Sequence, residues 1–439
     1  MPPEDAPSPR RVARARRALG RLTVDVAPLR ISRDFRLLMT GELVSETGSQ
    51  ITLVALFIQV FQLTGSALAV GAIGLVQLAA LVVTTFFASP LIDRVDRRRL
   101  LIISQCLQAT MSLVLLGGAL AKHPPLALVY TAGALAAGLA GFSLSTRSAI
   151  TPMLMPASQL SNALAINQVM WNTCLIAGPA IGGVIVGQAG LPWAYGIDAA
   201  SFGATIVAAI LMRPLPPRHE LVVDDPDSES NWQRLLEGFR YLRGRRVLQS
   251  TFIVDLIAMI FGMPRALFPI LALVQFHQGD EVVGALFSAA AVGALLGALT
   301  SGWVERVRRQ GLAVLVAVSI WGLAIAAFGL TGPRLWLALS FLAVAGGADV
   351  ISAVFRSTIL QLSVPDDLRG RMSAVHILVV TGGPRLGDFE AGLVAALFTP
   401  AIAVVSGGLA CVAGVGVLAL AVPEFARYRA PIAGHQVTG

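Results

Sequence analysis

Twelve long apolar runs limit the fold of this chain more than any other feature of its sequence. A helix needs about 20 apolar residues to cross a membrane, and only helices or closed barrels satisfy their backbone hydrogen bonds in lipid. Runs of this length exceed any plausible strand, so each is predicted to be a transmembrane helix. Bounded by charges, Pro or Gly, the runs lie near 37–63, 67–91, 100–121, 126–152, 162–187, 192–213, 248–276, 282–304, 312–332, 335–361, 372–396 and 400–422.

The composition agrees with a membrane protein and excludes most other classes. Hydrophobic residues make up 55% of the 439 residues and charged residues only 13%, against about 25% in an ordinary soluble domain. The cysteines at positions 106, 174 and 411 all fall inside apolar runs, where a free thiol behaves as a small apolar group. Their spacing supports neither a disulfide framework nor a metal site, and we expect no cofactor.

The positions of the basic residues predict the topology. Arginines cluster before the first run and in four of the five alternate connections that follow, whereas the connections on the other side carry only Lys122 and Arg334. The positive-inside rule therefore predicts a multi-pass protein of a bacterial inner membrane with both termini in the cytosol. Two interpretations of the Arg-rich arm, 1–35, stay open: contact with anionic lipid headgroups, or a topology signal alone. Nucleic-acid binding is not favoured.

Residues 214–247 differ in kind from the rest of the chain. Prolines and an acidic patch are followed by apolar residues that alternate with arginines, a pattern typical of an interfacial amphipathic helix. The segment separates six spans from six spans. The predicted domains are a cytosolic Arg-rich arm, 1–35, a six-helix bundle, 36–213, a cytosolic linker, 214–247, a second six-helix bundle, 248–422, and a cytosolic tail, 423–439.

Three matching segments indicate that the two halves are repeats. Each half carries, in the same order, an acid followed by Arg after its second span, an Arg-Ser pair near the end of its fourth, and a Gly-Pro pair in its fifth. Repeated halves are the architecture of alternating-access transporters. The predicted fold class is therefore an all-α membrane protein with twelve transmembrane helices in two pseudo-symmetric six-helix bundles. The segments begin at Asp93, Arg147 and Gly178 in the first half and at Glu305, Arg356 and Gly383 in the second.

The connection after the second span resembles that of the major facilitator superfamily, which reads Gly-x-Leu-Ala-Asp-Arg-x-Gly-Arg-Arg. Ser89 and Asp96 replace its two glycines, and an acid at the latter position is frequent in twelve-span bacterial exporters related to macrolide-efflux and enterobactin-export proteins. The resemblance implies the major facilitator fold, secondary transport by a monomer, and export. The residues that match are Asp93, Arg94, Arg97 and Arg98.

The fifth span resembles the antiporter motif of the same superfamily, although Cys174 stands where the longer motif has Gly. Small residues and Pro allow helices to approach and bend. The expected helix-packing residues are Gly178, Pro179, Gly182 and Gly183.

Ionisable residues inside the spans are the candidates for the transport site, because each costs about 3 kcal/mol in the bilayer. Glu42 and Glu46 share one helical face, which suits a carboxylate that exchanges a proton; the alternative is two hydrated side chains at the cytosolic mouth. Arg385 and Asp388 are either a structural pair or a pair that changes partner during transport, and Arg265 is a further partner for an anionic group. The proton or substrate candidates are Glu42, Glu46, Asp255, Arg265, Asp349, Arg385, Asp388 and Glu390.

The resemblance also implies a cytosolic latch that stabilises the outward-facing state. An acid of the connection and arginines at nearby helix ends would form it, and the alternative is that these charges only set the topology. The expected latch residues are Asp93, Arg94, Arg97, Arg98, Arg147, Glu305, Arg306 and Arg356.

The sequence favours a proton-coupled exporter of amphipathic small molecules, a drug-type antiporter associated with multidrug resistance. Its expected partners are the substrate, protons and membrane lipids. Siderophore or lipid export by the same fold is an alternative, and a transporter-like sensor without flux is another. An enzyme or ATP-driven pump is not expected, since the only lysine, Lys122, lies outside any Gly-Lys-Ser/Thr motif.

Overall fold

The fold was determined as a computed structural model that describes residues 26–121, 123–216, 237–238, 240–365 and 368–429. These residues form helices and no strand. The amphipathic helix predicted in the linker falls at about 232–246, where residues 237–238 and 240–242 are helical and 232–236 and 239 lie outside the described residues. Most of the N-terminal arm and part of the C-terminal tail also lie outside them.

Twelve long helices account for the twelve predicted spans. Eleven of the helical segments are long and apolar enough to cross a membrane; α11, which carries Arg385, Asp388 and Glu390, is the twelfth. The helices are α1 (Arg33–Thr64), α2 (Ala67–Arg94), α3 (Arg97–Leu120), α4 (Leu126–Leu154), α5 (Leu160–Ala189), α6 (Leu191–Leu211), α7 (Arg246–Phe261), α8 (Asp280–Thr300), α9 (Gln310–Gly329), α10 (Leu335–Ser363), α11 (Arg369–Leu397) and α12 (Pro400–Ala421).

The first hairpin shows how the sequence sets the ends of the helices. The Ser32 side chain accepts a hydrogen bond from the Phe35 N–H and caps α1. Gly65 ends α1 with a φ of 61°, in the left-handed region that favours glycine. Ser66 then caps α2 by accepting from the Ala69 N–H. Two residues are therefore enough to reverse the chain between two spans.

The seventh span, predicted near 248–276, is present as the membrane-length segment Arg246–Val274, but its helix is interrupted. Helix α7 ends at Phe261, a 3-10 turn covers Arg265–Leu267, and a short helix follows over Phe268–Val274. Pro264, immediately before the turn, has no N–H to donate and cannot continue an α-helix. The break turns Arg265 towards a neighbouring helix.

The helices form two six-helix bundles with matching internal contacts. In the first bundle α1 packs against α5 and α6, α3 against α4 and α6, and α2 against α4; α7 to α12 repeat the same pairings. Consecutive helices run antiparallel, so the start of α1 and the end of α12 lie at one face of the molecule. We call this the terminal face and the other one the opposite face.

The two bundles meet along two seams, α2 against α11 and α5 against α8. Glycines face each other in both: a Cβ on Gly183 would lie 2.7 Å from the Gly284 Cα, and one on Gly392 would lie 3.1 Å from the Gly71 Cα. These glycines lie in the half of each helix nearer the opposite face. The backbones of the two bundles therefore touch directly on that side.

Candidate functional site

An arginine near the end of α10 contacts two carboxylates in the second bundle. Arg356 Nη2 lies 3.0 Å from Asp255 Oδ1 on α7 and 3.7 Å from Asp349 Oδ1 on α10. Arg356 and Asp255 are buried, whereas the Asp349 side chain is 28% exposed. The Nε and Nη1 atoms of Arg356 have no hydrogen-bond partner. This group of three, which we call the C cluster, therefore contains a buried arginine with free donors.

A second group of the same kind lies in the first bundle. Arg147 on α4 forms an ion pair with Glu42 on α1 through Nη1, and its Nη2 lies 3.8 Å from Glu46 Oε2. Glu42 is fully buried and Glu46 is 13% exposed, so neither is the freely hydrated side chain of the alternative interpretation. Gln50 donates to the other oxygen of Glu46 at 3.1 Å. We call Arg147, Glu42 and Glu46 the N cluster.

The two clusters occupy equivalent places in the repeat. Arg356 follows Arg147 by 209 residues, and Asp255 follows Glu46 by the same 209 residues. Each arginine lies seven residues before the end of its helix, about 10 Å from the terminal face. Sequence reasoning applied this offset only to the segments that begin at the two arginines; applied to Glu46, it would have found the pair.

A third ion pair lies nearer the opposite face. Arg265, in the break of the seventh span, places Nη2 2.9 Å from Asp388 Oδ2 on α11. Asp388 is buried and Arg265 is 25% exposed. Arg385 instead donates from Nη1 to the Thr381 carbonyl at 2.5 Å. Of the partners that the sequence left open for Asp388, the structure places Arg265 against it.

The remaining predicted charged residues belong to none of these three groups. Glu390 is half-buried on α11, and the side chains of Asp93, Arg94, Glu305 and Arg306 lie outside the described part of the structure.

Arg97 and Arg98 contact the end of the first bundle. Arg98 donates to the carbonyls of Ala209 and Ile210, both at 2.7 Å. These carbonyls lie at the C-terminus of α6, whose partial negative charge stabilises a cation. Arg97 donates to the Pro216 carbonyl at 3.4 Å. These contacts and those of Arg147 stay within the first bundle, and the latch stays a prediction.

The glycines of the fifth span lie at helix contacts. A Cβ on Gly178 would contact the Gln50 side chain, and one on Gly182 would lie 3.0 Å from the Ile51 Cα. Both contacts are with α1, whereas Gly183 faces α8 across the seam. Pro179 is buried within α5. The segment therefore packs α5 against both bundles.

Sequence reasoning assigned no role to one buried acid, Asp198 on α6. Its Oδ2 accepts hydrogen bonds from Thr52 at 2.7 Å and from Ser112 at 2.6 Å. The signal was an aspartate inside an apolar run, which was set aside because the sixth span was expected to be peripheral. Within the described ranges, no group of three or more His, Cys, Asp or Glu residues could hold a metal ion.

Comparison with known proteins gives the family. A family model described as a transmembrane secretion effector matches residues 23–432. The chain belongs to this family, within the major facilitator superfamily. It is 28% identical over 398 residues to the enterobactin exporter EntS of Citrobacter koseri, covering 90% of this chain and 94% of that protein. It is 26% identical over 397 residues to EntS of Salmonella typhi, with coverage of 90% and 94%.

Solved structures of the superfamily share the fold. The crystal structure of the nucleoside transporter NupG superimposes with a TM-score of 0.71 at 14% identity, covering 90% of this chain and all of that one. The predicted fold class and family are thereby confirmed. The chain is a multi-pass membrane transporter of an exporter family.

Proposed function

We propose that the chain exports a siderophore-class molecule, a small oxygen-rich iron chelator, across the inner membrane by alternating access. The observation that carries the proposal is the match, over 90% of the chain, to proteins named as enterobactin exporters. Fold alone does not define a substrate, so the buried charges supply the second support. Free guanidinium donors on Arg356 suit acidic oxygens of such a substrate.

Coupling to protons belongs to the same proposal. Each cluster contains two carboxylates and one arginine, so each has one carboxylate more than its arginine can neutralise. A surplus buried carboxylate in a membrane favours binding of a proton. The clusters therefore have the composition that proton exchange requires, and they lie on helices of both bundles.

The orientation of the molecule in the membrane is a further part of the proposal, and it rests on the positions of the arginines. We propose that the terminal face is cytosolic, since the connections on that side carry most of the arginines. The contacts between the bundles would then lie on the outer side, as in a carrier that is closed to the outside and ready to load from the cytosol.

Inverted membrane vesicles with a respiration-driven acid interior test the proposal. We would add an iron-free catecholate siderophore, measure its uptake by mass spectrometry, and follow internal pH with a dye. We expect uptake with simultaneous proton release from the vesicles, both lost in Asp255→Asn and Glu46→Gln. The matched control is Asp34→Asn, a partly exposed acid of α1 outside the clusters.

The second candidate function, drug-type efflux, is tested in the same vesicles. The apolar character of the spans favours it, and a panel of lipophilic cations and macrolides serves as substrate. Uptake of these compounds without uptake of the siderophore would overturn siderophore export and leave drug efflux in its place. Siderophore uptake that is insensitive to Asp255→Asn and Glu46→Gln would contradict the proposed coupling only.

A further inference from the structure

Asp198 is a buried carboxylate in the first bundle that belongs to neither arginine cluster. It lies seven residues after the start of α6, about 10 Å into the helix from the opposite face. Its side chain is 1% exposed, where α6 packs against α1 and α3. The position is separate from both seams between the bundles.

Only one of the two carboxylate oxygens is satisfied. The hydroxyls of Thr52 on α1 and Ser112 on α3 both donate to Oδ2, at 2.7 and 2.6 Å. The other oxygen, Oδ1, is buried and has no hydrogen-bond partner. It points to Gly48 on α1, where a Cβ would lie 2.9 Å from it.

No positive charge compensates this carboxylate among the residues that the structure describes. None of their arginines or histidines forms an ion pair with Asp198. The titratable groups that face it are Glu46 from α1, which has the same sign, and Tyr195 from α6. The charges of α3 are the arginines at 97–99, at its start. Buried charges in proteins are normally paired or bind a cation, and among the described residues Asp198 has hydroxyl partners but no cationic one.

A row of buried polar side chains on α3 ends at Asp198. Ser104, Gln105, Gln108 and Ser112 lie on one face of α3 and are all buried. The row begins beside α1, where Ser45 donates to Gln105 at 3.4 Å, and it ends at the hydroxyl that binds Asp198. Polar groups therefore continue along this face of α3 from Ser45 to Asp198.

We propose that Asp198, Thr52 and Ser112 form a binding site for one monovalent cation, Na⁺ or a proton. A carboxylate with hydroxyls is an oxygen-only donor set, which suits a hard cation, and the free Oδ1 atom would bind either ion. The site goes beyond the proposed function, because it requires neither a siderophore nor the arginine clusters.

The test uses the full chain in lipid nanodiscs. Thermal unfolding is compared in sodium chloride and in potassium chloride at equal ionic strength, and the infrared spectrum is recorded for the band of a protonated carboxyl group at neutral pH. The variants are Asp198→Asn and, as a matched control, Ser201→Ala, whose hydroxyl donates to the Asp198 carbonyl rather than to its carboxylate.

Two results support the site and identify its ion. A Tm that is several degrees higher in sodium than in potassium, in the unmodified chain and in Ser201→Ala but not in Asp198→Asn, assigns Na⁺. A protonated carboxyl band that disappears only in Asp198→Asn assigns a proton. A Tm that is equal in both salts, together with a carboxyl spectrum that Asp198→Asn leaves unchanged, overturns the proposal.

A second pair of variants covers the case in which Asp198→Asn does not fold. Thr52→Val and Ser112→Ala keep the carboxylate and remove one donor each. If the unmodified chain has a higher Tm in sodium than in potassium, we expect both variants to reduce that difference. If it shows a protonated carboxyl band instead, we expect both variants to move that band. If both variants behave as the unmodified chain does, the hydroxyls are not part of a cation site.

Discussion

At the scale of single residues, the ion pairs explain how charges are retained inside an apolar bundle. Arg356 and Asp255 are both buried and lie 3.0 Å apart. Such a pair contributes little net stability, yet removal of one partner leaves an uncompensated charge and costs about 3–5 kcal/mol. Each charge therefore offsets the energetic cost of burying the other.

The first prediction concerns this pair. Arg356→Gln is expected to lower the free energy of unfolding by about 3 kcal/mol, because Asp255 is left buried without a cation. The double variant Arg356→Gln with Asp255→Asn should recover part of the loss. Thermal unfolding in detergent, followed by intrinsic fluorescence, gives the comparison.

A surface pair provides the control for the first prediction. Arg213 lies 3.4 Å from Asp34, but its side chain is 65% exposed. Arg213→Gln should therefore change stability by less than about 1 kcal/mol. A double variant of the buried pair that is no more stable than Arg356→Gln alone would contradict the pairing.

At the scale of helices, the positions of glycine and proline decide where the spans bend and where they touch. Pro264 breaks the seventh span next to Arg265, and the break brings this arginine to Asp388. Gly183 and Gly284 allow α5 and α8 to meet backbone to backbone. The chemistry of the site therefore depends on small, uncharged residues as much as on the charges themselves.

The second prediction concerns the α5–α8 seam. Gly183→Val is expected to separate α5 from α8, because its Cβ alone would lie 2.7 Å from the Gly284 Cα. The resulting separation of the two bundles is measured by cross-linking of Gln62→Cys on α1 with Asp280→Cys at the start of α8, since the Gln62 Nε2 and Asp280 Oδ2 atoms are 3.0 Å apart, in a background without other cysteines. We expect a several-fold lower cross-linking yield.

Gly203 on α6 is the matched control for the seam. A Cβ at Gly203 would meet no atom within 4 Å, so Gly203→Val should leave the yield unchanged. Equal yields in the unmodified chain and in Gly183→Val would show that the seam tolerates a side chain.

The helices were more predictable from the sequence than the site. Long apolar runs gave eleven spans close to their structural bounds, because length and hydropathy are local properties of the chain. Pro264 marks where the seventh span is distorted, but the sequence does not decide between a kink and the observed interruption, since a proline in a transmembrane helix produces either one. The contact of Arg265 with Asp388 joins residues 123 positions apart, and only packing decides which of several charges meet. Asp198 was overlooked because its partners are hydroxyls, which give no charge pattern.

At the scale of the whole molecule, the two bundles repeat both the helix packing and the positions of the buried charges. The same helix pairings occur in each bundle, and the offset of 209 residues that relates Arg147 to Arg356 also relates Glu46 to Asp255. Both clusters lie on the side of the terminal face. The orientation of the molecule in the membrane therefore decides which compartment the clusters lie nearer to.

The third prediction concerns this orientation. Arg308 and Arg334 are both exposed and lie at opposite ends of the bundle, so Arg308→Cys and Arg334→Cys form a matched pair in a background without other cysteines. In intact cells, a membrane-impermeant thiol reagent should label Arg334→Cys and not Arg308→Cys. In inverted vesicles the labelling should be reversed. Labelling of Arg308→Cys in intact cells would place the terminal face outside.

The glycine contacts of the two seams have a kinetic consequence. Interlocked side chains must change rotamers before two surfaces can part, and such steps add to an activation barrier. Where Gly183 faces Gly284 and Gly71 faces Gly392, the surfaces carry no side chains at the point of closest approach. Separation of the backbones at these points therefore requires no rotamer change, and the activation barrier depends on the side chains that meet across the bundles nearby, such as Phe57 of α1 stacked on Phe287 of α8.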